Sequence, residues 1–283
     1  MKNPVVIGGI SLLVVGLIFF GIRTPREESS DTEGGTETKN MAEVANAITI
    51  TPIQHATAVL NIEDIVVYTD PIGGGIAFAQ MSPADIILIT DIHGDHFNTS
   101  TLNTVVRDTT VIIAPAAVAN QLPTQLREKT TVLSNGEKTE QKGVTIEAIP
   151  MYNLPERADE AHTKGRGNGY VLEKNGARVY VAGDTEDIPE MRALRNIHVA
   201  LIPMNLPYTM SVETAADAVL EFAPAKVYPY HYRGSAGLSD VEKFKMLVTE
   251  GNPNITVELL DWYPPEPQQS QSVPTTATGV KVN

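Results

Sequence analysis

The chain has 283 residues, 42% of them hydrophobic, with a net charge of −13 and no cysteine. The length accommodates one large domain with its own core. The acidic balance argues against a nucleic-acid partner, which needs clustered Lys and Arg, and the lack of cysteine excludes disulfides, thiolate metal sites, thiol nucleophiles and a lipid anchor on Cys. An anionic small molecule stays open, because a bound divalent ion reverses the local charge.

In chain order, residues 5–22 (VVIGGISLLVVGLIFFGI) come first as an uncharged apolar run. As a helix they would reach roughly 27 Å, near the ~30 Å hydrocarbon thickness of a bilayer. A cleaved signal peptide is the rival reading, but its apolar core is normally shorter, and Ile22-Arg23-Thr24-Pro25 is a poor cleavage site. Residues 1–24 are therefore read as an uncleaved, single-pass membrane anchor. With Lys2 on one side and Arg23 and Arg26 on the other, the positive-inside rule does not set the orientation. Signal-anchor behaviour would put the following domain outside the cytoplasm. Residues 25–44 are polar and charged and read as a flexible linker. Residues 264–283, rich in Pro, Gln, Ser and Thr, read as a disordered tail. Residues 45–263 form the globular domain.

Within that domain, strands are expected at residues 48–51, 56–62, 65–68, 86–89, 110–114, 144–150, 169–173, 178–182, 199–203, 226–228 and 255–260. Helices are expected at residues 98–106, capped by Asn98, at 116–121, at 211–222, capped by Ser211, and at 239–248. Lys174-Asn175-Gly176 is a hairpin turn. Strand pairs followed by strand–helix alternation indicate an α/β (or α+β) domain of sheets covered by helices.

Four metal-binding side chains, Asp91, His93, Asp95 and His96, crowd six positions directly after the strand at 86–89. Imidazole nitrogen and carboxylate oxygen both bind divalent ions, and packing does not explain such density. Asp184 follows the strand at 178–182, and His231 follows the strand at 226–228. Each puts a potential ligand just beyond a strand end.

These groups resemble the metallo-β-lactamase superfamily, with its His-x-His-x-Asp-His run, a middle His, a bridging Asp and a final His in that chain order. The likeness covers roughly residues 48–262 and includes His55 and Asp70-Pro71. The stretches HTKGRGNGY at residues 162–170 and PYHY at 229–232 are similar to the branch holding ascorbate-phosphate lactonase-like hydrolases. The resemblance implies a four-layer αβ/βα sandwich with metals at the edge between the sheets. It implies one or two divalent ions, Zn²⁺ foremost, with Mn²⁺ as the alternative. One set of ligands would be Asp95, His96 and His231, with Asp184 as bridge. In the other, His93 matches, Asp91 stands where the family has its first His, and Asn153 falls near the middle His. His162 is the alternative to Asn153, either as a ligand or as a substrate contact.

The implied reaction is hydrolysis of a lactone, ester or phosphoester by a metal-activated water, with Asp95 and Asp184 as catalytic carboxylates. Asn153, Arg166, Tyr208 and Arg233 are candidate contacts to a small-molecule substrate, an anionic one included. His55 reads equally as a partner that orients a ligand or as a catalytic group. The departures at Asp91 and Asn153 keep a non-catalytic metal- or ligand-binding module open as the alternative. The anchor reading predicts that full-length protein fractionates with membranes and that deleting residues 1–24 releases it; full-length protein in the soluble fraction would contradict the anchor.

Overall fold

The computed structural model describes residues 40–264; the apolar segment at 5–22, most of the expected linker and residues 265–283 lie outside them. Among the described residues no helix is long and apolar enough to cross a membrane. The described chain opens earlier than the expected domain boundary, with helix α1 (Met41–Ala47). Asn40 caps it, its Oδ1 accepting from Ala42 N at 3.2 Å, and Ala45 is buried in the core.

The first sheet contains β1 (Thr49–Gln54), β2 (Thr57–Ile62), β3 (Ile65–Thr69), β4 (Ile86–Leu88), β5 (Val111–Ala114) and β6 (Thr130–Val132), in that spatial order. β1 to β3 are antiparallel, and β3 to β6 run parallel. The parallel crossovers carry helix α2 (Thr99–Val105), then α3 (Ala116–Ala119) and α4 (Thr124–Arg127). Asn98 caps α2 as expected, Oδ1 accepting from Thr101 N at 2.8 Å.

The second sheet contains β7 (Lys138–Gln141), β8 (Val144–Met151), β9 (Gly167–Lys174), β10 (Ala177–Val181), β11 (Val199–Pro203) and β12 (Lys226–Tyr230). A ribbon of β13 (Arg233–Gly234) and β14 (Gly237–Leu238) follows, and β15 (Thr256–Val257) closes the sheet beside β12. Helices α5 (Pro189–Arg192), α6 (Val212–Phe222) and α7 (Val241–Gly251) belong to this half. β7 to β10 are antiparallel and β10 to β12 parallel, so both sheets change from meander to parallel crossovers. The β9–β10 turn has Asn175 at φ 48° and Gly176 at φ 85°, the two positive values of a tight hairpin.

Alternation along the strands sorts the layers. Ile86 and Leu88 join a large core with Ile146, Tyr170 and Val181 of the second sheet and Phe222 and Phe244 of α6 and α7. Ile87 and Ile89 point the other way, against Leu102, Val118 and Leu126. The result is a mixed α/β sandwich of two sheets flanked by helices. Two expectations are trimmed. The final strand covers only Thr256–Val257, not residues 255–260, because its ladder to β12 ends there. The last helix starts at Val241, where Asp240 Oδ1 accepts from Lys243 N at 2.9 Å.

At one edge the sheets touch through polar bonds. Thr90 O accepts from Asn168 N at 2.9 Å, and Ile89 O accepts from Tyr170 Oη at 2.9 Å. Within the second sheet, Tyr230 Oη accepts from Gly183 N at 2.9 Å and holds the turn after β10. Glycine makes the approach feasible. A Cβ on Gly167 would sit 2.8 Å from Thr90 O of the first sheet, a backbone atom that cannot swing away. We expect Gly167→Ala to destabilise the domain by about 1–3 kcal/mol, the usual cost of overpacking, read in a denaturant unfolding curve. Unchanged stability would show that this junction can give.

Candidate metal centre

The site is built from loops at the C-terminal ends of parallel strands, where this kind of sheet presents its functional groups. The loop after β4 carries Asp91 to His96, the loop after β10 carries Asp184, and the end of β12 carries His231. The β8–β9 loop adds Asn153 and His162, and the β1–β2 turn adds His55.

His96 is fully buried and fixed from behind. Its Nδ1 lies 2.9 Å from Asp70 Oδ2 and 3.0 Å from Thr90 Oγ1. Asp70 is itself held, its oxygens accepting from Thr90 N and Thr90 Oγ1, each at 2.7 Å. This leaves His96 Nε2 to face the site, 3.3 Å from Asp184 Oδ2 and 3.2 Å from His231 Nε2. A carboxylate behind the inner nitrogen is the usual way a protein fixes a ligating imidazole.

Asp184 is the shared centre. Its Oδ2 lies 3.2 Å from His162 Nε2, and its Oδ1 lies 3.1 Å from His231 Nε2 yet makes no hydrogen bond. Burial opposes the Asp184 charge, but His231 and His96 outweigh it and keep the carboxyl ionised well below the usual range. Burial likewise opposes a charged His96; Asp184 and Asp70 outweigh it and raise the imidazole well above its usual range. Asp95 completes this half, with Oδ2 3.5 Å from His231 Nε2. His55 Nε2 holds the same oxygen at 3.2 Å, while His55 Nδ1 pairs with Tyr263 Oη at 2.7 Å.

The other half gathers Asp91, His93 and His162, whose ligand atoms all lie within 4.8 Å of one another. Asn153 does not face the site. Its Oδ1 accepts from His162 N at 2.8 Å and lies 3.1 Å from His162 Nδ1, while its Nδ2 donates to Tyr208 O at 2.8 Å. Asn153 therefore orients His162, and His162 Nε2 points inward. Asp91, fully buried, accepts from Arg166 Nε at 3.1 Å and Nη2 at 2.9 Å, with His93 Nδ1 at 2.8 Å.

A divalent ion fits these residues. Two imidazole nitrogens face each other at 3.2 Å beside a carboxylate oxygen that has no hydrogen-bond donor. A cation among them would satisfy all three, and nitrogen with carboxylate oxygen is a donor set suited to Zn²⁺ or Mn²⁺. A cleft of about 380 Å³ opens over both halves, lined by His93, Asp95, Ala161, His162, Asp184, Asn205 and Tyr208.

The residues proposed to hold an anion sit differently. Arg166 is occupied by Asp91. Arg233 stacks its guanidinium 4.2 Å over the Tyr263 ring and lines a separate cleft. Lys164, a further cation on the β8–β9 loop, pairs with Glu156 and Glu190. Tyr208 does line the metal cleft. Asp70, Asn205 and the His55–Tyr263 pairing carried no sequence signal for their roles. Asn205 Nδ2 lies 3.5 Å from His231 Nε2, with its Oδ1 accepting from Thr209 Oγ1 at 2.5 Å. Only the Asp-Pro step at 70–71 offered a hint.

Comparison with known proteins agrees with this fold. Residues 49–231 match the beta-lactamase superfamily domain. A UPF0173 metal-dependent hydrolase of Thermococcus onnurineus is 35% identical over 188 residues, which are 63% of this chain and 83% of that protein. The crystal structure of a Parabacteroides distasonis protein described as a metal-dependent hydrolase superposes with a TM-score of 0.67 at 36% identity, covering 76% of this chain and 94% of that one. A metallo hydrolase of Ignicoccus hospitalis gives 0.63 at 24% identity, over 75% of this chain and 94% of that one, a likeness of fold. The chain belongs to the metallo-β-lactamase superfamily. Within it, the chain is a metal-dependent hydrolase of the UPF0173 family.

Two outcomes follow. Asp70→Asn should weaken metal binding by roughly 10–100-fold, the usual effect of losing a partner behind a ligating His, in competition with a chelator; unchanged affinity would remove Asp70 from the site. Ion binding requires neutral His96 Nε2, and the raised His96 proton affinity means that a proton must leave. Apparent affinity should therefore fall as pH drops, starting above the usual imidazole range, with proton release seen in calorimetry across buffers of different ionisation enthalpy. An affinity flat with pH would contradict this.

Proposed function

We propose that the chain hydrolyses a small lactone or carboxylic ester in the cleft over Asp184, with a phosphoester as the second substrate class. The observation that carries this reading is the clustering of His96, His231, His162, Asp95 and Asp184 beneath a cleft with room for a small molecule, which Asp95, His162 and Asp184 line. Asp95, His96, Asp184 and His231 would hold one divalent ion, and Asp91, His93, His162 and Asp184 would hold a second. Zn²⁺ is favoured by the imidazoles, and Mn²⁺ by the carboxylate share of each set. Such an ion supplies Lewis acidity and a water acidic enough to attack at neutral pH.

The protein's own groups then divide the work. Asp95 is the more open carboxylate, with its side chain 38% exposed against 4% for Asp184, and it takes the proton from the attacking water. His55 holds Asp95 in place for that transfer. The buried Asp184 keeps His96, His162 and His231 in register. Asn205 Nδ2 points toward the same opening and donates to the substrate's carbonyl oxygen. Tyr208 borders the opening and covers the bound substrate.

Lactone and ester chemistry ranks first because Arg166, Lys164 and Arg233 are all engaged elsewhere. The same observation weakens an assignment to the ascorbate-phosphate lactonase-like branch, whose substrate carries a phosphate. The apolar segment at 5–22 would tether the enzyme to a membrane, with the domain outside the cytoplasm.

The direct test is a panel of lactones, carboxylic esters and phosphodiesters with protein loaded with Zn²⁺ or Mn²⁺. Turnover of a lactone or ester is expected, with Asp95→Asn losing about 10²–10⁴-fold in kcat while keeping its fold. A metal-loaded protein inert to every class would favour the non-catalytic binding module.

A further inference from the structure

The two halves of the centre differ in charge. Among the described residues no Lys or Arg pairs with Asp70, Asp95 or Asp184; their ion-pair partners are imidazoles. Asp91 differs. It is fully buried, and both of its oxygens accept from the guanidinium of Arg166, at 3.1 and 2.9 Å. This is the two-pronged geometry that makes Arg–carboxylate pairs strong.

We propose that Arg166 acts as a resident counterion that takes the place of an ion in the Asp91/His93/His162 half, so that the chain binds one divalent ion tightly and a second only weakly. The proposal rests on the hydrolase reading of the same centre.

A buried carboxylate without a partner is costly, so each half needs positive charge near it. The Asp95/His96/Asp184/His231 half has no fixed cation: its imidazoles can carry a proton, which an entering ion displaces, so the ion takes over that charge. In the other half the guanidinium supplies one unit already. An ion entering there meets a carboxylate whose charge is spoken for, and it meets the repulsion of a fixed cation about 3 Å from a ligand oxygen. Its remaining ligands are His93, with a side chain 41% exposed and its Nδ1 given to Asp91, and His162, whose Nε2 leans on Asp184. An Asp stands here where the family pattern has its first His, and an Arg answers that Asp from the β8–β9 loop.

The test is metal stoichiometry. Full-length protein is equilibrated with Zn²⁺ or Mn²⁺ alone, desalted, and its ions counted by plasma mass spectrometry alongside calorimetric titration. Close to one ion per chain is expected, with a second, weaker phase in the titration. Arg166→Gln should move the count toward two and strengthen the weaker phase by at least ~10-fold, as for other residues that tune a ligand. Because that variant leaves Asp91 without its partner before ions are added, Arg166→Lys is measured beside it. It keeps the charge, loses the fork, and should fall between the two. His231→Ala should bring the count near zero.

Two equally tight ions in the unaltered protein, or a count that neither Arg166 variant moves, would overturn the proposal and leave the hydrolase reading standing. A count of one that survives His231→Ala would also overturn it, because the tight ion would then lie in the wrong half. No bound ion in the unaltered protein would overturn both.

Discussion

The structure turns on one buried carboxylate shared by three imidazoles. Asp184 is nearly inaccessible, yet it stays ionised because His96, His162 and His231 surround it. Those imidazoles come from a loop of the first sheet, a long loop of the second, and the end of β12. The carboxylate can meet all three only if the two sheets are joined at that edge. The bonds from Asn168 to Thr90 and from Tyr170 to Ile89 make the joint, and Gly167 and Gly183 let the backbones come close enough for it. The sandwich and the site are thus one constraint seen from two sides.

Around that hub the supporting groups are specific to each ligand. His96 is braced by Asp70 and Thr90, His162 by Asn153, and Asp95 by His55, which Tyr263 holds in turn. The braces fix which nitrogen of His96 and His162 faces inward, and an ion then needs little reorganisation to bind. Asp91 has a different kind of partner. Its brace carries a full positive charge, and that alone makes the two halves chemically unequal.

Much of this was legible in the order of residues. The ligands after β4, β10 and β12 sit where buried apolar strands end, so strand pattern and ligand type together located them. The caps at Asn98 and Ser211 and the turn at Asn175-Gly176 are local signals, and each acts where it stands. What escaped depends on closure of the fold. Asp70 meets His96 across 26 positions, and Tyr263 meets His55 across 208, with no spacing rule to link them. Asn153 and His162 were indistinguishable as candidate ligands, because only the folded loop shows which of the two points inward. Arg166 read as a hand for an anion, since nothing local tells a surface Arg from one that answers a buried Asp. The short elements β6, α4, β7 and α5 were missed because three or four residues carry too little periodicity. Helix α1 hid in a polar stretch whose small apolar face only a neighbouring core reveals.

If Asp184 and its imidazoles are a metal-binding hub, an ion must sit on them. Anomalous diffraction from crystals soaked in Mn²⁺, collected at a wavelength where that ion scatters strongly, tests this most directly. The expected result is a peak bonded to Asp184, His96 and His231, with Asp95 as a further ligand. A clean map at this position, or a peak whose ligands leave Asp184 out, would contradict it.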